Sequence, residues 1–449
     1  MRFELTKEFL ERIRVAISSE DNLWIKEHIV ELHPADIAEI MDELSSEKAK
    51  YLYFLLEEEI QADVLMELED EVRDTFLASL STKEIAEQLE NLDSDDAADI
   101  LGDLPEEKIQ EVISQMEDDD AADDIVDLLN YDEDTAGGLM QKEFIQAKLD
   151  WPVNRALVEL RRQAEDVERV YSIYVVDSSN KLVGTLSLKR LLFASPKTSI
   201  RDLYQDKNII YVKTSDDNEK VAQVMKKYNL DAIPVVDYQN KLVGRITIDD
   251  VVDIIQEEAD KDLQLMSGIS ERVESNSSVW RMSRSRLPWL VIGMLGGTLS
   301  AQVISKFETN IGNLPALAFF IPLITAMGGN VGVQSSAIVV QSLARGDDPF
   351  DSILRKVGKE SLVGLLNGLI CSVLVFLGAY SIGFFELGII VSLSLLTVIV
   401  FAAVLGTMIP LILNRYKIDP ALATGPFVTT LNDIVGLFIY FSIGLLLLK

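Results

Sequence analysis

The sequence predicts a multidomain membrane protein: a cytoplasmic all-α helical solenoid, a tandem α/β pair, a connector helix and a five-helix α-helical transmembrane domain. Three observations lead there. Residues 1–270 hold 63 Asp+Glu against 29 Lys+Arg, and residues 271–449 hold 10 against 12, so the acid excess behind the net charge of −32 lies entirely in the first part. Two kinds of segment recur along that first part, one at a short period and one at a long period. From Leu287 onward the chain turns apolar in five stretches, each reaching the roughly 20 residues needed to cross about 30 Å of hydrocarbon.

Residues 1–135 are expected to form an acidic helical N-terminal domain. Ile37-Ala38-Glu39-Ile40-Met41-Asp42-Glu43-Leu44 recurs 48 positions later as Ile85-Ala86-Glu87-Gln88-Leu89-Glu90-Asn91-Leu92. Asp95-Asp96-Ala97-Ala98-Asp99 recurs 24 positions later as Asp119-Asp120-Ala121-Ala122-Asp123. A step of 24 with apolar residues at helical spacing indicates stacked short helices. Pro, Ser and Asp mark several starts, and His33 falls in such a cap, where a structural role is expected. So acidic a surface disfavours nucleic acid and favours cations as partners.

Residues 136–205 and 206–258 read as two copies of one unit. Ser172-Ile173-Tyr174-Val175-Val176-Asp177 is followed by Asn180-Lys181 and Leu182-Val183-Gly184-Thr185-Leu186-Ser187, which reads as strand, turn and strand. About 60 residues on, the pattern returns as Ala232-Ile233-Pro234-Val235-Val236-Asp237, Asn240-Lys241 and Leu242-Val243-Gly244-Arg245-Ile246-Thr247. Amphipathic helices near Pro152–Gln163 and Asn218–Tyr228 precede the two cores. The duplicated VVD…NKLVG resembles a pair of cystathionine-β-synthase (CBS) domains. The resemblance implies a regulatory pair that folds together and often binds an adenine nucleotide such as ATP.

A charged helix from Asp249 to about Met266 follows, then a polar stretch through Arg286; the connector is assigned to residues 259–285 and the membrane domain to 286–449. Spans are expected at about 287–306, 315–343, 359–381, 387–413 and 424–448. Bases cluster at Arg281, Arg284 and Arg286, at Arg345, Arg355, Lys356 and Lys359, and at Arg415 and Lys417, while the other loops hold only Lys306, and Lys449 closes the chain. The positive-inside rule then places the N-terminus in the cytoplasm and the C-terminus outside, in a cell (inner) membrane. The opening MRFELTKEFL lacks the apolar core of a signal peptide, which agrees. Cys371 is the only cysteine, so no internal disulfide is expected, and packing is its expected role.

Two features inside the spans carry chemistry. In Pro322-Leu323-Ile324-Thr325-Ala326-Met327-Gly328-Gly329-Asn330-Val331-Gly332-Val333-Gln334, one proline, three glycines and two amides suggest a helix opened locally to expose carbonyls. Asn330 and Gln334 on one face suggest a pore lining; small residues serving close helix packing are the plainer alternative. Asp433 is the only acid well inside a span, with no base deep in another span to neutralise it. An unpaired carboxylate at membrane depth costs several kcal/mol, so such residues usually serve a pathway. Carboxylate, amide and backbone oxygens, without His or Cys clusters, suit hard cations, and one carboxylate per chain suits an ion that keeps its waters, as Mg²⁺ does.

The domain order, together with PLITAMGGNVGVQ and GPFVTTLNDIVG, resembles the MgtE family of magnesium transporters and channels across essentially the whole chain. The resemblance implies a homodimer with its pore at the subunit interface, lined by the second and fifth spans. By that likeness Asp433 holds the hydrated ion and Asn330 narrows the path. It implies further that cytoplasmic Mg²⁺ closes the pore by filling acidic sites. The matching positions are Asp95 and Asp99 in the solenoid, Glu219 in the second CBS unit, Asp250, Asp253, Glu258 and Asp262 along the connector region, and Asp419 in the last cytoplasmic loop. Lys261 stands where the family pattern has another acid.

The expected mechanism is influx driven by membrane potential and shut when internal Mg²⁺ draws the carboxylates together. A membrane-bound sensor that signals through the CBS pair without conducting is the alternative; it explains the acidic domain but not Asp433. No catalytic constellation and no GxxxxGK[ST] sequence is present, so an enzyme is not expected.

Overall fold

The computed structural model describes residues 3–164, 167, 169–206, 209–270, 273, 278–308, 314–344, 353–423 and 425–447. Arg345 and Lys449, used above for orientation, and the expected span ends Thr424 and Leu448 lie outside them. The chain forms two compact units, Met1–Ile255 and Gln256–Lys449.

The first unit opens with α1 (Lys7–Ser18), α2 (Asn22–His28), α3 (Pro34–Asp42), α4 (Ser46–Tyr53) and α5 (Glu58–Met66). It continues with α6 (Asp70–Ala78), α7 (Thr82–Leu89), α8 (Ser94–Gly102), α9 (Glu106–Ile113) and α10 (Asp119–Leu128). From Pro34 to Glu106 a helix begins every 12 residues, so the 24-residue step in the sequence is two helices. Side-chain caps mark some of the helix starts. Ser81 and Glu84 form a reciprocal capping box on α7, and Asp118 accepts from Asp120 N and Ala121 N at the start of α10. His33 Nδ1 accepts from Ala35 N at 3.3 Å and so caps α3. Fully buried Ile13, Ile37, Met41, Leu52, Phe76, Ile85 and Leu101 make one continuous core.

The α/β pair consists of two three-stranded sheets of identical plan. The first has β1 (Gln146–Lys148), β2 (Ile173–Val176) and β3 (Leu182–Leu186), with α11 (Val153–Gln163) between β1 and β2 and α12 (Leu188–Leu192) after β3. The second has β4 (Val212–Lys213), β5 (Ala232–Val236) and β6 (Leu242–Thr247), with α13 (Asn218–Tyr228) in the matching place. β1 and β4 run parallel to the middle strands, each hairpin is antiparallel, and each hairpin shifts register at the same point, Val175/Val176 and Val235/Val236. The hairpin turns explain the repeated Asn-Lys. Asp177 Oδ1 accepts from Ser179 N and Lys181 N, Asp237 Oδ1 accepts from Gln239 N and Lys241 N, and Asn180 (φ 64) and Asn240 (φ 63) take the left-handed conformation. These turns also join the sheets: Leu182 N donates to Asn240 O (3.1 Å) and Leu242 N to Asn180 O (3.0 Å).

Helix α14 (Ile248–Met266) follows β6 directly. In the second unit α15 (Val279–Lys306), α16 (Ile321–Ala344), α17 (Ile353–Ser381), α18 (Phe385–Arg415) and α19 (Pro426–Leu447) are long and apolar enough to cross a membrane; a 3-10 turn, Pro315–Phe320, leads into α16. Helix α18 is the central element, burying Leu395, Val398, Ile399, Ala402 and Gly406, whereas α15 is almost wholly exposed within the chain.

The expectation of an opened second span is corrected here. Helix α16 is continuous; Pro322 sits in its first turn, where a missing N–H breaks no helical bond. The glycines bring helices together instead. A Cβ on Gly332 would lie 2.0 Å from Asn432 Nδ2, one on Gly406 would lie 2.3 Å from Gly332 O, and one on Gly329 would lie 3.0 Å from Thr429 Cγ2. Close packing, the plainer reading, is what the glycines do.

Candidate metal centres

Within the first unit, two carboxylates come from the start of α8. Asp95 is 5% exposed, its Oδ2 accepts from Gln141 Nε2 (3.3 Å), and its Oδ1 is buried without a hydrogen-bond partner among the described residues. Burial, and after it the negative charges of Asp250, Asp96, Asp93 and Glu143, hold its carboxyl well above the usual range. Burial and Asp250 push Asp96 up to about 7; burial, Glu133 and Asp103 do the same to Asp99, where Arg73 pulls the other way. Asp99 is exposed at its rim, so solvent softens that displacement. Asp250, in the first turn of α14, accepts from Thr247 N (3.1 Å) and Oγ1 (2.8 Å); burial still raises it, helped by Asp249 and Asp253.

The structure thus brings Asp95, Asp99 and Asp250 together, with Asp253 beside Asp250. Sequence reasoning missed their companions Asp93, Asp96 and Glu143. It also missed the clamp holding Asp95: Gln141, 4% exposed, accepts from Arg245 Nε at 2.6 Å while donating to Asp95. The Asp93–Asp99 run was visible, but no local pattern connects Gln141 with Arg245. Glu219 stands apart, exposed in the first turn of α13 with Oε1 accepting from Gln223 Nε2 (3.3 Å).

The second unit holds another carboxylate group. Asp262 is pushed up to about 6 by burial, then by Asp419 and Glu258. Asp419 Oδ1 accepts from Ala421 N (2.8 Å), and Lys261 Nζ pairs with Glu258 at 2.9 Å, so the unexpected base partly neutralises this group. Among the described residues no three His, Cys, Asp or Glu side chains close on one point as a rigid cage would. These acids share a repulsive field rather than a finished coordination shell.

At membrane depth, Asp433 lies in the second turn of α19, half-buried, with Oδ1 buried and no hydrogen-bond partner among the described residues. Beside it Asn432 is 2% exposed, packed on Gly332, with both amide atoms lacking a hydrogen-bond partner among the described residues. Asn330, two residues before Gly332, points about 200° away from that contact around α16. It lines a cleft with Gln334 instead.

Five apolar spans, one carrying the unpartnered carboxylate oxygen of Asp433, on a chain with an acid-rich first part define the class of membrane cation transporters. Family models agree. One described as a divalent cation transporter matches residues 321–443, the MgtE intracellular N domain matches 32–134, and the CBS domain matches 136–197 and 200–257. The magnesium transporter MgtE of Thermus thermophilus is 35% identical over 441 residues, covering 97% of this chain and 98% of that protein. That of Bacillus subtilis is 36% identical over 318 residues, covering 71% and 70%. A solved cytosolic domain of the Mg²⁺ channel MgtE in complex with ATP covers 55% of this chain and 99% of its own at 35% identity, with a TM-score of 0.51. The chain belongs to the MgtE family. The relatives matched along its length are transporters, not enzymes.

Proposed function

We propose that this chain is a Mg²⁺-selective channel or transporter mediating influx, closed when cytoplasmic Mg²⁺ binds its acidic N-terminal and CBS domains. The observation that carries the reading is the unpartnered Oδ1 of Asp433 at membrane depth. A fixed charge there requires a counter-charge. None comes from the described residues, and a permeating, partly hydrated divalent ion supplies it. Asn330 acts as a second contact on the path. The membrane potential drives the ion, worth about 4.6 kcal/mol for a divalent cation at 100 mV.

The repelling carboxylates support the gating half. Without Mg²⁺, Asp95, Asp99, Asp250 and Asp253 push apart; ions between them favour the compact state, and each ion bound makes the next more effective. Asp262, Glu258 and Asp419 act the same way beside the spans, and Glu219 contributes from the second CBS unit. The working assembly is a homodimer in the cell (inner) membrane with the N-terminus cytoplasmic and the C-terminus outside. ATP is the adenine nucleotide proposed for the CBS pair, since the solved cytosolic relative was captured with it. The parts are 1–135, 136–205, 206–258, 259–285 and 286–449.

Mg²⁺ flux into liposomes containing the purified chain tests this. The intact protein should conduct at low Mg²⁺ on its cytoplasmic face, and Asp433→Ala should lose at least about 100-fold, a barrier increase of about 2.7 kcal/mol. No flux from the intact protein under any internal Mg²⁺ would favour a non-conducting sensor instead.

A further inference from the structure

Helices α16 and α17 flank a cleft of about 290 Å³ whose floor is Ile399 of α18. Its walls carry Asn330 and Gln334 from α16 and Asn367, Ile370 and Cys371 from α17. All three carboxamides are exposed, and none has a hydrogen-bond partner among the described residues. Three unpartnered amides converging from two spans are untenable against lipid, where polar groups must be satisfied. Water or a polar occupant has to fill the space. Two turns before Asn367 on the same helix, Glu360 Oε2 accepts from Ser335 Oγ at 3.2 Å, which sets a carboxylate against the residue that follows Gln334 on α16. Of the bases on that part of the helix, Arg355, Lys356 and Lys359, Lys356 is engaged with Ser342 Oγ at 3.3 Å.

We propose that this cleft is a water-filled chamber that binds a hydrated divalent cation, with Asn367 of the third span as a binding residue beside Asn330 and Gln334. The inference rests on the transport reading and extends it to a helix not otherwise assigned to the ion path. Carboxamide oxygens accept hydrogen bonds from the waters of a cation that gives them up reluctantly, which is how Mg²⁺ is generally handled. Neutral amides hold such an ion weakly enough to release it. Glu360 biases the chamber toward cations.

Cys371, the chain's only cysteine, lines the same chamber and serves as a built-in reporter. The full-length protein in liposomes is treated with a cationic, water-soluble methanethiosulfonate, with and without MgCl₂. Cys371 should react, and Mg²⁺ at about ten times its half-protecting concentration should slow the reaction about tenfold. Asn367→Leu should abolish that protection. Protection surviving in Asn367→Leu would come from gating rather than occupancy and would overturn the proposal. So would a Cys371 that reacts with a lipid-soluble maleimide but not with the water-soluble reagent, or one that reacts without Mg²⁺ protection. Should Asn367→Leu fail to fold, Asn367→Asp decides: a lower half-protecting Mg²⁺ concentration supports the chamber, and an unchanged one refutes it. Flux through Asp433→Ala is read in parallel, so failure of the chamber is distinguished from failure of the pore assignment.

Discussion

At the scale of single residues, the acids around Asp95 make stability depend on pH. Asp96 and Asp99 are raised to about 7 in the folded chain, against an unfolded value near 3.8. Between those values the folded state holds more protons, so stability falls as pH rises through that window. Glu84, lowered by its hydrogen bond to Ser81 N, works in the opposite sense. Without Mg²⁺, hydrogen-exchange protection of α8 in the full chain should therefore fall from pH 5 to pH 8, and saturating Mg²⁺ should flatten the trend. An equal slope in both conditions would mean that Mg²⁺ does not replace those protons. Asp433 and the Asp95 region were legible because an acid inside an apolar run, or a dense run of acids, stands out in one dimension. Gln141 and Arg245 were not, because one hydrogen bond joins positions 104 residues apart.

At the scale of elements, the hairpins and turns of the CBS pair were readable, since their Asp-Asn-Lys turns repeat the same chemistry. The edge strands β1 and β4 were not, because segments of three and two residues carry no periodicity. In α16 the same glycines fit a broken helix and a tightly packed one, and only neighbouring helices decide between them. Gly332→Ala and Gly406→Ala should each destabilise the membrane unit by about 1–3 kcal/mol through overpacking. Gly293→Ala and Gly297→Ala, where the added carbon would meet nothing within 4 Å beyond its own helix, should cause no loss within the protomer. Thermal unfolding of the purified variants checks the contrast, and equal losses at all four sites would remove the packing explanation.

For the whole molecule, the division into an acidic part and an apolar part was plain from charge and hydropathy. The grouping of carboxylates distant in sequence was not, because it is made by folding. Neutralising Asp250 and Asp253 together, as Asp250→Asn and Asp253→Asn, should leave flux high at cytoplasmic Mg²⁺ that silences the intact chain. Unchanged inhibition would move the sensor away from α14. One contact also restricts how the membrane part can move. Gly406 rests so near the carbonyl of Gly332 that not even a methyl group fits between them. The second and fourth spans therefore meet backbone to backbone at that point, and any side chain there would hold them apart. Under the proposed gating, a motion of these two spans keeps or breaks a backbone contact rather than a side-chain one, and the thinly covered first span has less packing to break.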